Sequence, residues 1–510
     1  MSPARSILLV PFSAALASLA ALACRQPSVS APVSAPSPAI SSGSHARLRA
    51  FIDSMADGPD FSNAHLGILI VDPERGDTLY SRNAGKLFMP ASNMKILTSA
   101  TILAQLGPAY RYHTVFAGTG PVRDGTLQGD LVIIGRGDPS VSDHMMGDAM
   151  APLRLIADSL AARGIRHVAG RVFPYGDAFP GEVFGYGWTY DDFEDSYSAP
   201  VDELLFNEGF SEVHLRGADQ PGAMAQAAMR PARSYPRLVA DVRTVAPMSG
   251  DTVRGRGRMV HSQKDSVTWV EVVNGQIAVG DTAVVEVTHH DPDQAYAAAF
   301  AEVLRDHGIS IDDDSTAARP MAGPRLDTLA VLTSPPLSDI LKACLKPSQN
   351  QIAEMLFRTI ALERFGTGRT DSAAAAVRAQ IAAWGAAPSE AVVRDGSGLS
   401  RYDYVSPRTL VRVLDAMRRA PTFSTYYDAL PIAGVDGTIS GRMKGTPAEN
   451  NVHAKTGTVA QSRSLSGYVT TADGHMLIFS FLSNNFTVPN RTIERVQDAV
   501  ATRLAAMRLR

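Results

Sequence analysis

The sequence PASNMKIL, residues 90–97, decides the fold, because it places Ser92 three positions before Lys95 at the start of an apolar-periodic segment. Apolar residues recur at helical spacing as far as Leu106, which predicts a helix that begins near Ser92. Residues three apart on a helix share a face, with Cβ atoms about 5 to 6 Å apart. A nucleophilic hydroxyl and its base require this geometry. An amine of ordinary pKa cannot take a hydroxyl proton at neutral pH, so Lys95 must be desolvated or lie near a second cation.

Lysine is scarce in this chain, since only seven of the 48 basic residues are lysines. One of them begins the run Lys455-Thr456-Gly457-Thr458, and no other lysine is followed by Thr-Gly. Three Ser-x-Asn triplets occur, and only Ser348-Gln349-Asn350 falls between Lys95 and Lys455. The order Ser-x-x-Lys, Ser-x-Asn, Lys-Thr-Gly is therefore met by a single assignment, in which Lys455 is the natural second cation near Lys95.

Each of these short patterns has an ordinary structural explanation when it is taken alone. Ser92 would be a helix N-cap, and Lys95 would be a solvated lysine in the first turn. The ordered set of three motifs outweighs that explanation. A helix start also directs backbone N–H groups at developing negative charge, so the amide of Ser92 is suited to form half of an oxyanion hole.

The residues around the third motif predict three strands with short turns between them, at 452–459, 464–471 and 476–483. In an extended strand, His453, Lys455 and Gly457 face one way. Thr456 and Thr458 face the other way unless the strand twists at Gly457. A cation, hydroxyl groups and the free amides of an edge strand suit an anionic, peptide-like ligand. For His453 we expect a structural role.

The first 23 residues indicate an export signal, because Arg5 is followed by an uncharged run that ends in small residues. The sequence ALAC at 21–24 fits a bacterial lipoprotein cleavage box, which predicts a lipid on Cys24. Ordinary cleavage near Ala23 and an uncleaved anchor are the alternatives, although the run is short for a membrane span and contains Pro11. Residues 25–44 are rich in Pro, Ser and Ala and predict a tether.

Charge and cysteine content exclude several classes of function. Lys plus Arg is 48 and Asp plus Glu is 51, a net charge of -3, without the basic block that binds nucleic acid. Beyond Cys24 the one cysteine is Cys344, in an apolar segment, so we expect a buried thiol and no disulfide. The adjacent His289 and His290 would face opposite sides of a strand, and no histidine spacing predicts a metal site.

The chain resembles the low-molecular-mass, class C penicillin-binding proteins, which are D-alanyl-D-alanine carboxypeptidases/endopeptidases. The trio of motifs is shared by penicillin-binding proteins and class A β-lactamases. Six further segments carry the resemblance: GDLVIIGRGDPSVS at 129–142, SPPLSDIL at 334–341, SQNQIAEMLFR at 348–358, DGSGLSR at 395–401, AGVDGT at 433–438 and SLSGY at 464–468. The resemblance covers nearly all of the chain after residue 45.

The resemblance implies an α/β (α+β) fold: a serine transpeptidase/β-lactamase-like domain with an antiparallel sheet flanked by helices. Ser348 follows Ser92 by 256 residues, and class C proteins are similar in having two extra domains inserted between the first two motifs. The expected organisation is a signal peptide at 1–24, a tether at 25–44, a catalytic domain at 45–112 and 327–510, and an insertion at 113–326 of two nested, β-rich domains. Helical patterns in the insertion are few apart from 150–163 and 293–306.

The resemblance also implies residue roles. Ser92 would be the acylated nucleophile and Lys95 its base, while Ser348 and Lys455 would relay the proton to the leaving D-alanine. Substrate binding is implied for Asn350, Thr456, Gly457 and Thr458: Asn350 on the peptide amide, Thr456 on the terminal carboxylate, and the amides of Ser92 and Thr458 on the oxyanion. No cofactor or metal is implied, because serine chemistry with a lysine base supplies both the nucleophile and the proton transfer.

The implied activity is hydrolysis of peptidoglycan stem peptides in the bacterial periplasm or cell envelope, with β-lactams as covalent inhibitors. A β-lactamase or D-amino-acid esterase of the same fold is one alternative, and a penicillin-binding sensor without turnover is another. Three acidic residues, Asp191, Asp192 and Asp195, are candidates for binding a diamino-acid side chain, with a solvated acidic loop as the alternative. The segment LLFNEGF at 204–210 departs from the family pattern, so the sequence leaves open whether the inner of the two inserted domains contributes to substrate binding.

Overall fold

A computed structural model describes residues 42–231, 235–247, 259–264, 269–318 and 325–509. The helices are α1 Ser42–Ala56, α2 Met94–Leu106, α3 Asp143–Met146, α4 Ala151–Ala162, α5 Pro292–Asp306, α6 Leu337–Leu345, α7 Asn350–Phe365, α8 Thr370–Ala383, α9 Pro407–Arg418, α10 Phe423–Ala429 and α11 Asn490–Ala506.

The strands of the first half are β1 His65–Asp72, β2 Asp77–Arg82, β3 His113–Gly118, β4 Val122–Arg123, β5 Thr126–Leu127, β6 Leu131–Ile134, β7 His167–Val168, β8 Val172–Pro174, β9 Phe210–Arg216, β10 Gln226–Arg230 and β11 Arg237–Val245. The remaining strands are β12 Met259–Lys264, β13 Trp269–Ala278, β14 Thr282–Thr288, β15 Ser310–Ile311, β16 Asp327–Thr333, β17 Ala391–Val392, β18 Tyr404–Val405, β19 His453–Val459, β20 Ser462–Thr470 and β21 Met476–Asn484.

A five-stranded antiparallel sheet joins the two ends of the described chain. Its strand order is β19-β20-β21-β1-β2, so strands from the C-terminal region pair with strands that precede the first motif. The three strands predicted around the third motif are confirmed as β19, β20 and β21. Strand β19 forms one edge of the sheet, and at its start this edge is bridged to Ile432, where the Ala454 amide donates to the Pro431 carbonyl.

Helices cover both faces of this sheet, as predicted. Side chains alternate across a strand, so Ile68 and Ile70 of β1 share a core with residues of α1 and α11. Leu69, between them, packs instead into the larger core that includes residues of α2, α7 and α9. Because both faces are covered, β21 is buried almost throughout, and its sequence MLIFSFLSN is apolar on both sides.

The segment between α2 and α6 forms separate sheets. Strands β16-β3-β6-β8 make one sheet and β15-β7-β5-β4 another, and helices α4 and α5 share a hydrophobic core with them. The two helices lie where the helical patterns of the sequence predicted them. Between β8 and α5 along the chain, two three-stranded sheets, β10-β9-β14 and β11-β13-β12, enclose a second small core of valine, leucine and isoleucine.

Two boundaries differ from those expected. Strand β16, Asp327–Thr333, pairs with β3, and its Leu329 and Leu332 pack into the core of α4 and α5. These seven residues therefore continue the inserted sheet, although the sequence assigned them to the catalytic domain. Helix α1 begins at Ser42, so the last three residues of the expected tether, 42–44, are helical. The expected signal and Cys24 lie outside the described residues, within which no helix has the length and apolarity to cross a bilayer.

Candidate active site

Ser92 lies in a tight turn that leads directly into α2. Residues Ala91–Asn93 form a single 3-10 turn before α2 begins at Met94, and Ala91 has a left-handed φ of 49°. The C-terminal sheet holds this turn: Asn93 Nδ2 donates to the Lys455 carbonyl at 2.8 Å, and Ser464 Oγ donates to the Pro90 carbonyl at 2.7 Å. The strained turn is thus fixed by strands more than 350 residues away in the sequence.

Lys95 is completely buried beneath Ser92. Its Nζ lies 2.9 Å from Ser92 Oγ, 2.6 Å from Asn350 Oδ1 and 3.0 Å from the Ser397 carbonyl oxygen. Burial lowers the pKa of Lys95 to about 8, against the smaller raising effects of Cys344, Asp395 and Glu354. The desolvated lysine that the sequence required is therefore present beside the hydroxyl.

Ser348 and Lys455 form a second hydroxyl–amine pair. Lys455 Nζ donates to Ser348 Oγ at 2.8 Å and to the Thr456 carbonyl at 3.0 Å. Burial, with a contribution from the neighbouring Lys95, holds the pKa of Lys455 well below its ordinary value. Ser348 has a left-handed φ of 69°, a conformation that a serine adopts only when its surroundings hold it.

Gly457 allows the β19 edge to approach the nucleophile. A Cβ atom at this position would lie 2.1 Å from Ser464 Oγ, 2.6 Å from the Pro90 carbonyl oxygen and 3.0 Å from the Ser92 nitrogen. Only glycine fits, which explains the third letter of the Lys-Thr-Gly motif in physical terms. Strict alternation would separate Lys455 from Thr456, yet Thr456 also lines the cleft, where its Oγ1 lies 2.7 Å from Thr438 Oγ1.

These groups meet in a cavity of about 450 Å³. It is lined by Ser92, Asp192, Tyr197, Ser348, Asn350, Gly398, Leu399, Arg401, Thr438, Thr456, Gly457, Thr458, Val459 and Ala460. The lining includes every predicted substrate-binding residue, while the two lysines lie beneath it. Asn350 Nδ2 donates to the Tyr197 carbonyl at 2.7 Å, so the inserted segment closes one side of the cleft.

Of the three acidic candidates, only Asp192 lines the cavity. Its carboxylate accepts a hydrogen bond from Tyr197 OH at 2.7 Å and lies 3.8 Å from Arg401 Nη2. Sequence reasoning missed Tyr197, Arg401 and Thr438 as cleft residues. Thr438 and Arg401 end the quoted AGVDGT and DGSGLSR segments, whereas no local signal indicates Tyr197.

Three residues that the sequence singled out, His453, Cys344 and His289, are held in contacts that support the fold. His453 stacks on Tyr427 with ring centroids 3.7 Å apart, and its Nδ1 lies 3.1 Å from the Tyr427 carbonyl oxygen. Cys344 is buried, and burial raises the pKa of its thiol to about 11, which disfavours a nucleophilic thiolate. His289 is buried and lies 2.8 Å from Ser211 Oγ through its Nε2.

The described residues include two groups of His, Asp and Glu side chains that are close enough to share a metal ion, which the spacing of these residues along the sequence did not indicate. One comprises Glu194, Glu271 and His290, and the other comprises Asp202, Glu203 and Asp293. His290 Nε2 lies 3.8 Å from a carboxylate oxygen of each glutamate in its group. None of the six residues lines the catalytic cavity.

Comparison with known proteins gives consistent matches along the chain. A family model described as the D-Ala-D-Ala carboxypeptidase 3 (S13) family matches residues 48–507. The chain is 34% identical over 485 residues to a D-alanyl-D-alanine carboxypeptidase of Actinomadura sp. (strain R39), covering 92% of this chain and 87% of the relative. It is 26% identical over 437 residues to the D-alanyl-D-alanine carboxypeptidase DacB of Haemophilus influenzae, covering 84% of this chain and 87% of that protein.

The fold also matches a solved structure. The crystal structure of penicillin binding protein 4 from Haemophilus influenzae superimposes with a TM-score of 0.74 at 22% sequence identity, covering 89% of this chain and 99% of that one. The same protein in complex with a β-lactam gives a TM-score of 0.72. The predicted fold class, an antiparallel sheet flanked by helices with large insertions, is confirmed.

Proposed function

Because the chain belongs to the D-Ala-D-Ala carboxypeptidase 3 (S13) family, we propose that it uses Ser92 as the nucleophile with which it hydrolyses the D-alanyl-D-alanine ends of peptidoglycan stem peptides. One observation carries this assignment. The Ser92 hydroxyl lies 2.9 Å from the Nζ of a completely buried lysine whose pKa burial lowers to about 8. An amine in that state accepts a proton near neutral pH.

Acylation begins when the neutral Nζ of Lys95 takes the proton of the Ser92 hydroxyl. The Ser92 oxygen then attacks the carbonyl carbon of the penultimate D-alanine. The C–N bond to the terminal D-alanine breaks, and the proton taken from Ser92 is relayed to the leaving nitrogen by Ser348 Oγ and Lys455 Nζ, which lie 2.8 Å apart, so that Lys95 is neutral again. The products of this step are a Ser92 ester and free D-alanine.

Binding groups surround this centre on the β19 edge. The backbone amides of Ser92 and Thr458 would hold the oxyanion, and the close approach at Gly457 brings their two segments together. The hydroxyl pair of Thr456 and Thr438 would bind the terminal carboxylate. Asn350, which already contacts Lys95, would bind the substrate amide through its Nδ2 in place of the Tyr197 carbonyl.

A β-lactamase of the same fold is the main alternative function. Class A β-lactamases activate the deacylating water with a glutamate in a Glu-x-x-Leu-Asn loop. The glutamates between Asn350 and Lys455 are Glu354, Glu363, Glu390 and Glu449, and none precedes Leu-Asn in that spacing. All four fall in the described part of the chain, and none lines the catalytic cavity. The site therefore offers no glutamate of the class A type for penicilloyl-ester hydrolysis, and the carboxylate that lines the cavity, Asp192, belongs to the insertion.

This difference predicts opposite fates for the two acyl-enzymes. After peptide cleavage the D-alanine departs and admits water, whereas a ring-opened penicillin keeps its leaving group attached and blocks that approach. We therefore propose repeated release of D-alanine together with a long-lived penicilloyl ester on Ser92. The β-lactam complex of the Haemophilus influenzae protein supports a β-lactam as a ligand of this fold.

The test follows intact mass after a stoichiometric penicillin pulse and measures D-alanine release from a D-alanyl-D-alanine peptide in parallel. Ser92→Ala should lose both the adduct and peptide turnover, whereas Ser81→Ala, an exposed serine from another Ser-x-Asn triplet, should keep both. Rapid loss of the adduct with many penicillin turnovers and no D-alanine release would support the β-lactamase alternative. A stable adduct without peptide turnover would indicate a sensor.

Carboxypeptidase and endopeptidase action are separated by the products from a cross-linked muropeptide, analysed by mass spectrometry.

We also propose where the enzyme is located. Residues 1–24 would direct export to the periplasm or cell envelope, and Cys24 would carry the lipid that holds the body at a membrane through the following tether. The insertion would act as a wall of the cleft, since Asp192 and Tyr197 line the cavity.

A further inference from the structure

The segment DGSGLSR at 395–401 lies directly against the catalytic lysine. Its Ser397 carbonyl accepts a hydrogen bond from Lys95 Nζ at 3.0 Å, and Ser397 is completely buried. Gly398 approaches the nucleophile turn so closely that a Cβ there would lie 1.9 Å from the Ala91 carbonyl oxygen. The loop 395–400 therefore determines the position of the Ser397 carbonyl, which is one of the three polar partners of Lys95.

Glu354 of α7 holds this loop from one side. Its Oε1 accepts hydrogen bonds from the Ser397 amide at 2.7 Å and from the Gly396 amide at 3.0 Å. The Glu354 side chain is buried, so these bonds are shielded from water. The Ser397 amide, which bonds to Glu354, and the Ser397 carbonyl, which bonds to Lys95, belong to adjacent peptide units. A bond that fixes the amide therefore also fixes the direction of the carbonyl.

Asp395 and Trp188 hold the same loop from the other side. Asp395 Oδ1 accepts from the Gly398 amide at 2.7 Å, and its Oδ2 accepts from the Ser400 amide at 2.7 Å. The same Oδ2 accepts from Trp188 Nε1 at 2.9 Å. Trp188 belongs to the inserted segment, 207 residues earlier in the chain. The insertion thus contacts the support of the catalytic lysine as well as the cleft wall.

Backbone contacts reinforce the connection between the insertion and the loop. Ser400 Oγ donates to the Tyr186 carbonyl at 2.7 Å, and the Arg401 amide donates to the Gly187 carbonyl at 3.2 Å. Gly187 has a left-handed φ of 81°, and a Cβ there would lie 2.4 Å from the Tyr402 ring. Residues 186–188 therefore form a fitted clamp on the loop.

Resting on the proposed function, we propose that Glu354 and Trp188 are positioning residues for Lys95, because together they fix the Ser397 carbonyl that holds Nζ against the Ser92 hydroxyl. Neither residue lines the catalytic cavity, so neither is expected to touch the substrate. Their effect is on the acylation rate constant and not on non-covalent substrate affinity.

The charge on Glu354 gives the proposal a second, independent readout. The groups that act electrostatically on Lys95 are Cys344 of α6, Glu354 of α7, Asp395 of the loop and Lys455 of β19. Burial and the neighbouring Asp395 raise the pKa of Glu354 to about 7, and above that pH the ionised carboxylate raises the pKa of Lys95 against the lowering effect of burial. Glu354→Gln keeps an oxygen for both loop amides and removes the charge, so the pKa of Lys95 should decrease further.

The first experiment measures acylation of Trp188→Phe by a penicillin, with the rate constant and the non-covalent dissociation constant separated by stopped-flow saturation. Phenylalanine keeps an aromatic ring and removes the N–H donor. Loss of one hydrogen bond to a carboxylate should slow acylation about tenfold and leave the dissociation constant within about twofold of the parent. Trp384→Phe, at the end of α8, is the matched control and should leave both constants unchanged.

The second experiment records the acylation rate constant of Glu354→Gln against pH. The acid limb should move to lower pH than in the parent, whereas a residue that only supports the fold would lower the amplitude without moving the limb. Glu363→Gln on the same helix is the matched control, because Glu363 contacts Tyr110 and Arg136 instead of the loop. This profile also decides the question if Trp188→Phe does not fold.

Parent-like acylation and an unshifted pH limb in both folded variants would overturn the proposal. Equal losses in affinity and rate would also overturn it, because they would indicate a loop that shapes substrate binding. Failure of the proposed function is a separate result: it would appear as the absence of a Ser92 adduct in the parent enzyme itself.

Discussion

Replacement of Gly457 by alanine tests how closely β19 must approach the nucleophile. The added Cβ would meet Ser464 Oγ at 2.1 Å, the Pro90 carbonyl oxygen at 2.6 Å and the Ser92 nitrogen at 3.0 Å. The Ser464 hydroxyl can rotate away, but the other two atoms belong to the backbone that carries the nucleophile. The strand and the nucleophile turn must therefore separate.

The size of that separation follows from the contact distances. The Pro90 oxygen falls about 0.8 Å short of an ordinary 3.4 Å contact, so strand and turn should move apart by roughly this amount. The Thr458 amide, one residue along the strand, moves with it. Since a displacement near 1 Å costs about 100-fold in rate, we expect acylation to slow by about that factor. Overpacking should lower the free energy of unfolding by about 1 to 3 kcal/mol.

The assay is the rate constant for Ser92 acylation by a fluorescent penicillin, with thermal unfolding measured in parallel. Gly441→Ala is the matched control, because a Cβ there has nothing within 4 Å and the rate should not change. Adding Ser464→Ala to Gly457→Ala removes the hydroxyl contact, but it also removes the hydrogen bond from Ser464 Oγ to the Pro90 carbonyl and should restore little activity. If folded Gly457→Ala acylates within about twofold of the parent rate, the close-approach explanation is wrong.

Three further predictions concern the base, the substrate and the N-terminus. The acylation rate constant should increase with pH through about 8, because burial lowers the pKa of Lys95 to about 8 and only the neutral amine accepts the Ser92 proton. A flat pH profile or an unchanged rate in Lys95→Ala would contradict this. Asp192→Asn should lower kcat/KM about tenfold for peptides with a free side-chain amine and leave their N-acetylated forms unchanged, as measured by D-alanine release. Cys24→Ser should release the protein from the membrane fraction and change its processed mass, because stable anchoring needs acyl chains on Cys24; identical fractionation and mass would exclude the lipoprotein assignment.

The sequence alone determined the features that depend on local spacing. Ser92 and Lys95 are three residues apart, so a helical turn that begins at Ser92 brings their side chains together. The strands β19, β20 and β21 follow from alternation and turn residues. The helices α4 and α5 follow from apolar periodicity. Each of these features is set by neighbours within a few residues, which is the range over which a sequence pattern carries information.

Other features depended on tertiary structure. Ser348 and Lys455 are 107 residues apart and meet only because α7, which follows Ser348, packs against α2 while β19 packs against the nucleophile turn. Tyr197 and Trp188 reach the cleft and its supporting loop through contacts with residues about 150 to 210 positions later in the sequence, and no pattern at either end indicates the partner.

The boundary at β16 has the same cause. The sequence of residues 327–333 predicts an ordinary strand, and pairing with β3 more than 200 residues earlier decides the sheet to which they belong.

The lowered pKa values of Lys95 and Lys455 also depend on tertiary structure. Burial lowers both, and it exists only once helices, strands and the loop 395–400 have excluded water from the site. Sequence thus specified which chemical groups are available, and packing decided their distances and their solvation, because both depend on residues far apart in the chain.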